Sequence, residues 1–236
     1  MNELIPTGKL RAGVAFAPVP GALFVAKGAD GTPNGVTADL ANELARKLGV
    51  AVDFMVAPNT GQLTDALEAE SIDVSFMPMD DERRKRIDFG PAYFMVESTY
   101  MTTGQSGITA VEAVDRAGVR VVGIANTTTI RAAGRSLKNT TIQAAPSIDE
   151  AMAMMKGGQA DAFALSRDSL PPYVAQLLGS RIVDGGFQQT GIAIAVPKGR
   201  PQALAYVTAF LEEAKKSGFV RAAFDRARLK DFDVAP

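Results

Sequence analysis

Short apolar runs alternate with amphipathic stretches along most of the chain. Leu10–Phe16 is an apolar run of strand length. Thr37 is placed to cap a helix through Lys47, in which Leu40 and Leu44, continued by Leu48, share one face. Gly49 is placed to stop it. Val50–Val56 reads as a strand, Thr60 as the cap of a helix over Gln62–Glu68, and Ile72–Met77 as the next strand. Asp80, Asp81 and Glu82 put negative charge at the start of a short helix, where the backbone dipole favours it. Phe94–Thr102 then reads as extended.

The alternation resumes with a helix over Thr109–Ala117, a strand over Val119–Ile124 and a helix over Thr128–Leu137. A strand follows at Thr140–Gln143. Ser147 and Glu150 have capping-box spacing before a helix over Ala151–Lys156. Ala160–Leu165 reads as a strand, Ser169–Leu178 as a helix despite Pro171 and Pro172, and Ile182–Phe187 and Gly191–Val196 as strands. Helices around Pro201–Ser217 and Gly218–Leu229 close the chain. Strands alternating with helices predict an α/β protein with largely parallel sheets. The pattern falls into two blocks, joined by extended chain rather than by a Pro/Gly/Ser linker. Two extended crossings between two lobes would make a hinge. In open α/β sheets ligands bind beyond the carboxyl ends of strands, so the expected site is an interlobe cleft.

Composition narrows the chemistry. The 25 Lys+Arg residues against 26 Asp+Glu leave a net charge of −1, which argues against a general nucleic-acid binder. With no Cys and no His, disulfide scaffolds, thiolate metal sites, the Ser-His-Asp triad and nearly all zinc catalysis are excluded. No apolar run reaches the ~18–20 residues of a spanning helix. Ala12–Ala26 is uncharged, but Pro18, Pro20 and Gly21 interrupt it, so it reads as a buried strand and a loop rather than a signal peptide. Met152, Met154 and Met155 read as core packing. The basic residues from Lys215 to Lys230 read as a solvated face. No metal or cofactor is expected.

Several runs, in order, carry a resemblance. They are Gly8–Gly13 (GKLRAG), Gly35–Gly49 (GVTADLANELARKLG), Asp73–Phe76 (DVSF), Asp81–Tyr93 (DERRKRIDFGPAY), Val121–Thr128 (VVGIANTT), Gly158–Phe163 (GQADAF) and Gln189–Gly199 (QTGIAIAVPKG). Together the chain resembles the type II periplasmic solute-binding proteins of ABC transporters, polar amino-acid group, bacterial family 3. The resemblance implies two α/β lobes with a two-strand hinge. Residues 1–97 plus 192–236 would form lobe 1 and 103–187 lobe 2, with crossings near 98–102 and 188–191. It also implies a monomer that binds a small carboxylate or amino-acid ligand and hands it to ABC permease subunits. It implies the periplasm, with the cytoplasm the alternative if Met1 is the native start.

Site residues follow from the same resemblance. Arg83 holds the position whose guanidinium pairs with the ligand carboxylate, for which a planar bidentate fork is suited. Charge pattern alone would make it part of a solvated face with Arg84, Lys85 and Arg86. Thr128, at a turn that opens a helix, is the expected anion contact of the second lobe, with Asn126 and Arg131 behind it. Phe16 ends the first strand where the cleft opens, although an apolar residue there is as readily core. Asn59 follows the second strand. Phe76, Met77 and Pro78 stand where the family has glycine and hydroxyl contacts, which predicts a more apolar wall. The position that holds the ligand ammonium in the family's amino-acid binders is Ser166 here, with Asp168 two residues further. A second acidic position is Ala15. A buried ammonium needs a carboxylate, so the expected ligand carries a carboxylate without an α-ammonium, unless Asp168 serves.

The expected function is therefore a non-catalytic receptor. Two alternatives share the site. One is an enzyme resembling cyclohexadienyl dehydratase, which needs a carboxylic acid as proton donor. The other is a ligand-sensing regulatory domain.

Overall fold

The computed structural model describes residues 3–17 and 21–236; Met1 and the prolines at 18 and 20 lie outside them. Residues 1–95 with 191–236 form one compact unit, and 96–190 a second. The first opens with β1 (Leu10–Phe16), β2 (Phe24–Lys27) and β3 (Pro33–Asn34). Then come α1 (Val36–Leu48), β4 (Val52–Ala57), α2 (Thr60–Glu68), β5 (Val74–Pro78) and α3 (Asp81–Arg86). β6 (Ile87–Thr102) carries the chain into the second unit. There follow β7 (Val121–Ile124), α4 (Thr128–Ser136), β8 (Ile142–Ala145), α5 (Ile148–Lys156), β9 (Ala162–Ser166), α6 (Pro171–Val174) and β10 (Arg181–Ile182). β11 (Gln188–Pro197) returns to the first unit, which α7 (Pro201–Lys216) and α8 (Phe219–Arg226) complete.

In the first unit β1 is central. β4 lies along one side in parallel, from Leu10 to Ala15. The other side is shared by β5 at Ala12 and Gly13 and by β2 at Ala15 and Phe16. β11 runs antiparallel to β5. α2 crosses β1 at Gly13, where a Cβ would fall 2.5 Å from Ile72 Cδ1 and 2.8 Å from Leu63 Cδ2, so the present packing of those two side chains uses the space that the glycine leaves. Below it the fully buried Asp73 carboxylate accepts from the Arg11 backbone N–H, Nε and Nη2 at 3.0, 3.0 and 2.5 Å. In the second unit β7 lies between β8 and β9, parallel to both. β9 pairs antiparallel with β6, so that Ser98 stands opposite Ser166. The core there gathers Tyr100, Ile108, Val114, Val121, Ala133, Ala162, Ala164 and Val183.

The predicted alternation is present, with several corrections. Gly35, not Thr37, precedes α1; its backbone (φ 146°, ψ 176°) is one that glycine adopts readily, and Thr37 is buried inside the first turn. Asn59, not Thr60, caps α2. Thr109–Ala117 is no α-helix but a 3₁₀ turn at Val111–Val114, because the Val111 N–H is drawn to Asp184 O at 2.9 Å. Ser169–Leu178 forms only the single turn of α6, where Pro171 and Pro172 supply no donors. Of Ile182–Phe187 only Ile182 is strand, because Gly185 (φ 77°) turns the chain away. β2 is a short strand where the sequence predicts the loop after Phe16.

Candidate functional site

The residues expected at the site divide between the two units. In the first, Asp80 caps α3 by accepting the Arg83 N–H on Oδ1 at 2.8 Å. This turns the Arg83 side chain inward, while Arg84 and Lys85 stay exposed. Arg83 is 2% exposed, so it is not part of a solvated face. Its Nη1 donates to Pro78 O at 2.8 Å, at the end of β5. Its Nη2 donates to Thr60 Oγ1 at 2.7 Å, at the first turn of α2. Two elements thus orient one guanidinium plane. Asn59 accepts the Gln62 N–H at 3.0 Å and so holds the start of α2, and Thr60 with it, in place. Thr64 braces the same turn by donating to Thr60 O at 2.9 Å and contacting Met77 Sδ at 3.5 Å.

Phe76 and Met77 are fully enclosed, Phe76 with its edge against Tyr93. Of the three wall residues it is Pro78, through its carbonyl, that touches Arg83. Phe16 is half-buried at the end of β1, opposite Val25.

In the second unit the chain leaves β7 through Asn126, in the left-handed region (φ 59°), into α4. Thr127 caps α4. Its Oγ1 donates to Ile124 O at 2.8 Å and accepts the Ile130 N–H at 3.2 Å. Thr128 is the first helical residue and is buried; Arg131 Nη2 reaches its Oγ1 at 3.4 Å. Thr129 Oγ1 lies 3.4 Å from Ser98 Oγ. At the end of β9, Ser166 Oγ donates to Ser169 Oγ at 2.9 Å, and Ser169 lies 3.4 Å from Asp168 Oδ2. The carboxyl ends of β7 and β9 therefore present a group of hydroxyls beside one carboxylate.

That carboxylate is unusual. Asp168 Oδ1 is out of solvent and has no hydrogen-bond partner. Burial pushes the Asp168 pKa up, against the hydroxyls of Ser166 and Ser169, which favour the charged form. The flanking Arg167 is engaged elsewhere: it pairs with Glu97 and donates to Gly185 O at 2.7 Å. The sequence offered Asp168 only as a substitute for Ser166, and Ser98 and Ser169 not at all. Nothing in a serine's local sequence distinguishes a strand-end hydroxyl from an ordinary one. No cluster of three acidic residues able to hold a metal occurs among the described residues.

Comparison with known proteins gives this geometry a context. A mutant of ArgBP from T. maritima superposes with a TM-score of 0.82 at 27% identity, over 95% of this chain and 97% of that one. The ancestral amino acid-binding protein AncCDT-1, a precursor of cyclohexadienyl dehydratase, gives 0.81 at 28% identity, over 95% and 97%. An ancestral arginine-binding protein bound to glutamine gives 0.82 at 28% identity, over 94% and 98%. A curated relative, membrane-bound lytic murein transglycosylase F of Maricaulis maris (strain MCS10), is 35% identical over 109 residues. That match covers 44% of this chain, which spans only 24% of the relative's length. The fold is that of the type II periplasmic binding proteins. Residues 19–227 match the profile of the bacterial extracellular solute-binding proteins, family 3, and the chain belongs to that family.

Proposed function

We propose that the chain is a receptor that captures a small carboxylate-bearing solute, an α-amino acid, and delivers it to an ABC permease. The observation that carries the reading is Arg83, buried and oriented by Pro78 O and Thr60 Oγ1. A guanidinium fixed in this way recognises a carboxylate bidentately at low ordering cost. Thr128, buried at the first position of α4, would supply a hydroxyl to an anionic ligand at that helix start. Asp168 bears on the α-ammonium. Ser166 and Ala15 argued for a ligand without one, but a buried carboxylate oxygen lacking a partner is a place for a cation. The amino-acid binders among the similar structures support the same choice.

Thermal unfolding against L-amino acids and matched carboxylates lacking the amine tests the reading. A ligand of the folded state at 100 times its Kd adds about 2.7 kcal/mol. Melting temperature should rise with one amino acid, and Arg83→Ala should abolish the rise. A rise only with des-amino acids would move Asp168 out of the site. A rise that survives Arg83→Ala would overturn the carboxylate anchor.

One observation favours a second reading. A carboxyl whose pKa is raised by burial is equipped to donate a proton. A structural relative is described as a precursor of cyclohexadienyl dehydratase. Turnover of prephenate or arogenate, lost in Asp168→Asn, would identify an enzyme.

A further inference from the structure

The chain passes between its two units at Met95–Val96 and at Thr190–Gly191. Gly191 has a φ that any residue adopts; what it needs is space. A Cβ there would lie 2.5 Å from Met79 Cε and 2.8 Å from Ala92 Cβ. The Met95 Sδ lies 3.6 Å from the same point. The Met79 N–H donates to Gly191 O at 2.9 Å, and Asp80, the cap of the helix that carries Arg83, follows directly. Two thioethers therefore flank the returning strand where it enters the first unit. They differ in access: Met95 is 48% exposed, although it is apolar and sits in a strand. The other strongly exposed methionine among the described residues is Met55, 38% exposed on β4. Met77, Met101, Met152 and Met155 are buried.

We propose that Met95 is an oxidative modification site, and that its oxidation by hydrogen peroxide loosens the crossing at Gly191. The sulfur lone pair attacks one peroxide oxygen. The S–O bond forms as the O–O bond breaks, the sulfur is oxidised by two electrons, and the peroxide leaves as water once its proton is transferred. The sulfoxide is larger and polar. A polar sulfoxide is poorly matched to the close approach of the Met95 sulfur to Gly191, whose Cα already lies in a crowd made by Met79 and Ala92. The strain falls on the bond between the Met79 N–H and Gly191 O, and so on the segment leading into Asp80 and Arg83. Reduction of the sulfoxide restores the thioether, which makes the site a reversible one. Any effect on ligand capture depends on the proposed receptor role; the modification and the loosening do not.

The test is a peroxide titration of the native protein, Met95→Leu and Met55→Leu. Oxygen uptake is mapped by peptide mass, and the exchange of the Met79 and Ile192 amides is followed by NMR. Met95 and Met55 should be oxidised ahead of Met77, Met101, Met152 and Met155. Exchange of the Met79 amide should rise several-fold in the native protein and in Met55→Leu, stay unchanged in Met95→Leu, and return after treatment with methionine sulfoxide reductase. Oxidation of Met95 no faster than that of the buried methionines would overturn the site. Complete oxidation without a change in Met79 exchange, or the same rise in Met95→Leu, would overturn the mechanism.

Discussion

Asp168 gives up stability to hold its place. Its folded-state pKa lies above the ordinary carboxylate value because burial disfavours the charge. The ligand-free fold therefore binds this proton more tightly than the unfolded chain does. The stability linked to it is fully present below the unfolded pKa and is lost as pH rises through the raised one. Asp168→Asn should thus raise the melting temperature of the ligand-free protein at neutral pH. The same change should weaken an amine-bearing ligand roughly 10- to 100-fold, as expected for a lost charged hydrogen bond, and leave a des-amino analogue unaffected. An equal loss for both ligands would mean that Asp168 acts on the shape of the site rather than on the amine. Asp73 differs in that it already has a partner. Its carboxylate is already paired with Arg11, and Asp73→Ala should cost about 2–4 kcal/mol in denaturant unfolding, somewhat less than a fully buried pair because Arg11 reaches water. The burial of Arg83 runs against its charge pattern, which places it on a solvated face with Arg84, Lys85 and Arg86; only the resemblance carried by its neighbouring residues sets it apart. The isolation of Asp168 Oδ1 was not legible in the sequence, because it depends on Arg167 turning away to Glu97 and Gly185.

At the scale of elements, short helices act as mounts for side chains. α3 is six residues long and begins at a carboxylate cap. Asp80→Ala should lower stability by about 1 kcal/mol, the usual worth of such a cap. It should also diminish the ligand-induced rise in melting temperature, because Arg83 loses the backbone bond that starts its turn. A stability loss with an undiminished ligand response would show that Pro78 O and Thr60 Oγ1 suffice to aim the guanidinium. In the second unit the Asp115 carboxylate accepts the backbone N–H groups of Lys138, Asn139 and Thr140 at 2.9, 2.7 and 3.2 Å. These bonds hold its pKa below the usual range. Its contribution is present above the unfolded carboxylate value and is lost as pH falls through the lowered one; Asp115→Asn should make amide exchange at Asn139 faster and less dependent on acid. The strands were readable where apolar runs were buried on both faces, as at Leu10–Phe16. The helices at Thr109–Ala117 and Ser169–Leu178 were misread because distant partners and paired prolines decide those segments, and apolar spacing does not reveal either.

For the whole molecule, both block order and alternation were visible in sequence, since every block repeats the same apolar logic. The isolated Asp168 carboxylate at the end of β9 was not, because it is made by contacts between segments far apart in the sequence. The path of the chain carries a further consequence. The second unit is continuous, residues 96–190, whereas the first is completed only by residues 191–236. Its sheet lacks β11, the antiparallel neighbour of β5, until that last segment is available. During synthesis or passage through a pore, the middle of the chain can therefore reach its folded state while the first unit still waits for its closing strand and for α7 and α8. A chain ending at Thr190 should show protected amides in β7 and β9 and none in β1 or β4. The turn of α3 that carries Arg83, next to β5, would then take its final place last, only after the C-terminal segment had been released.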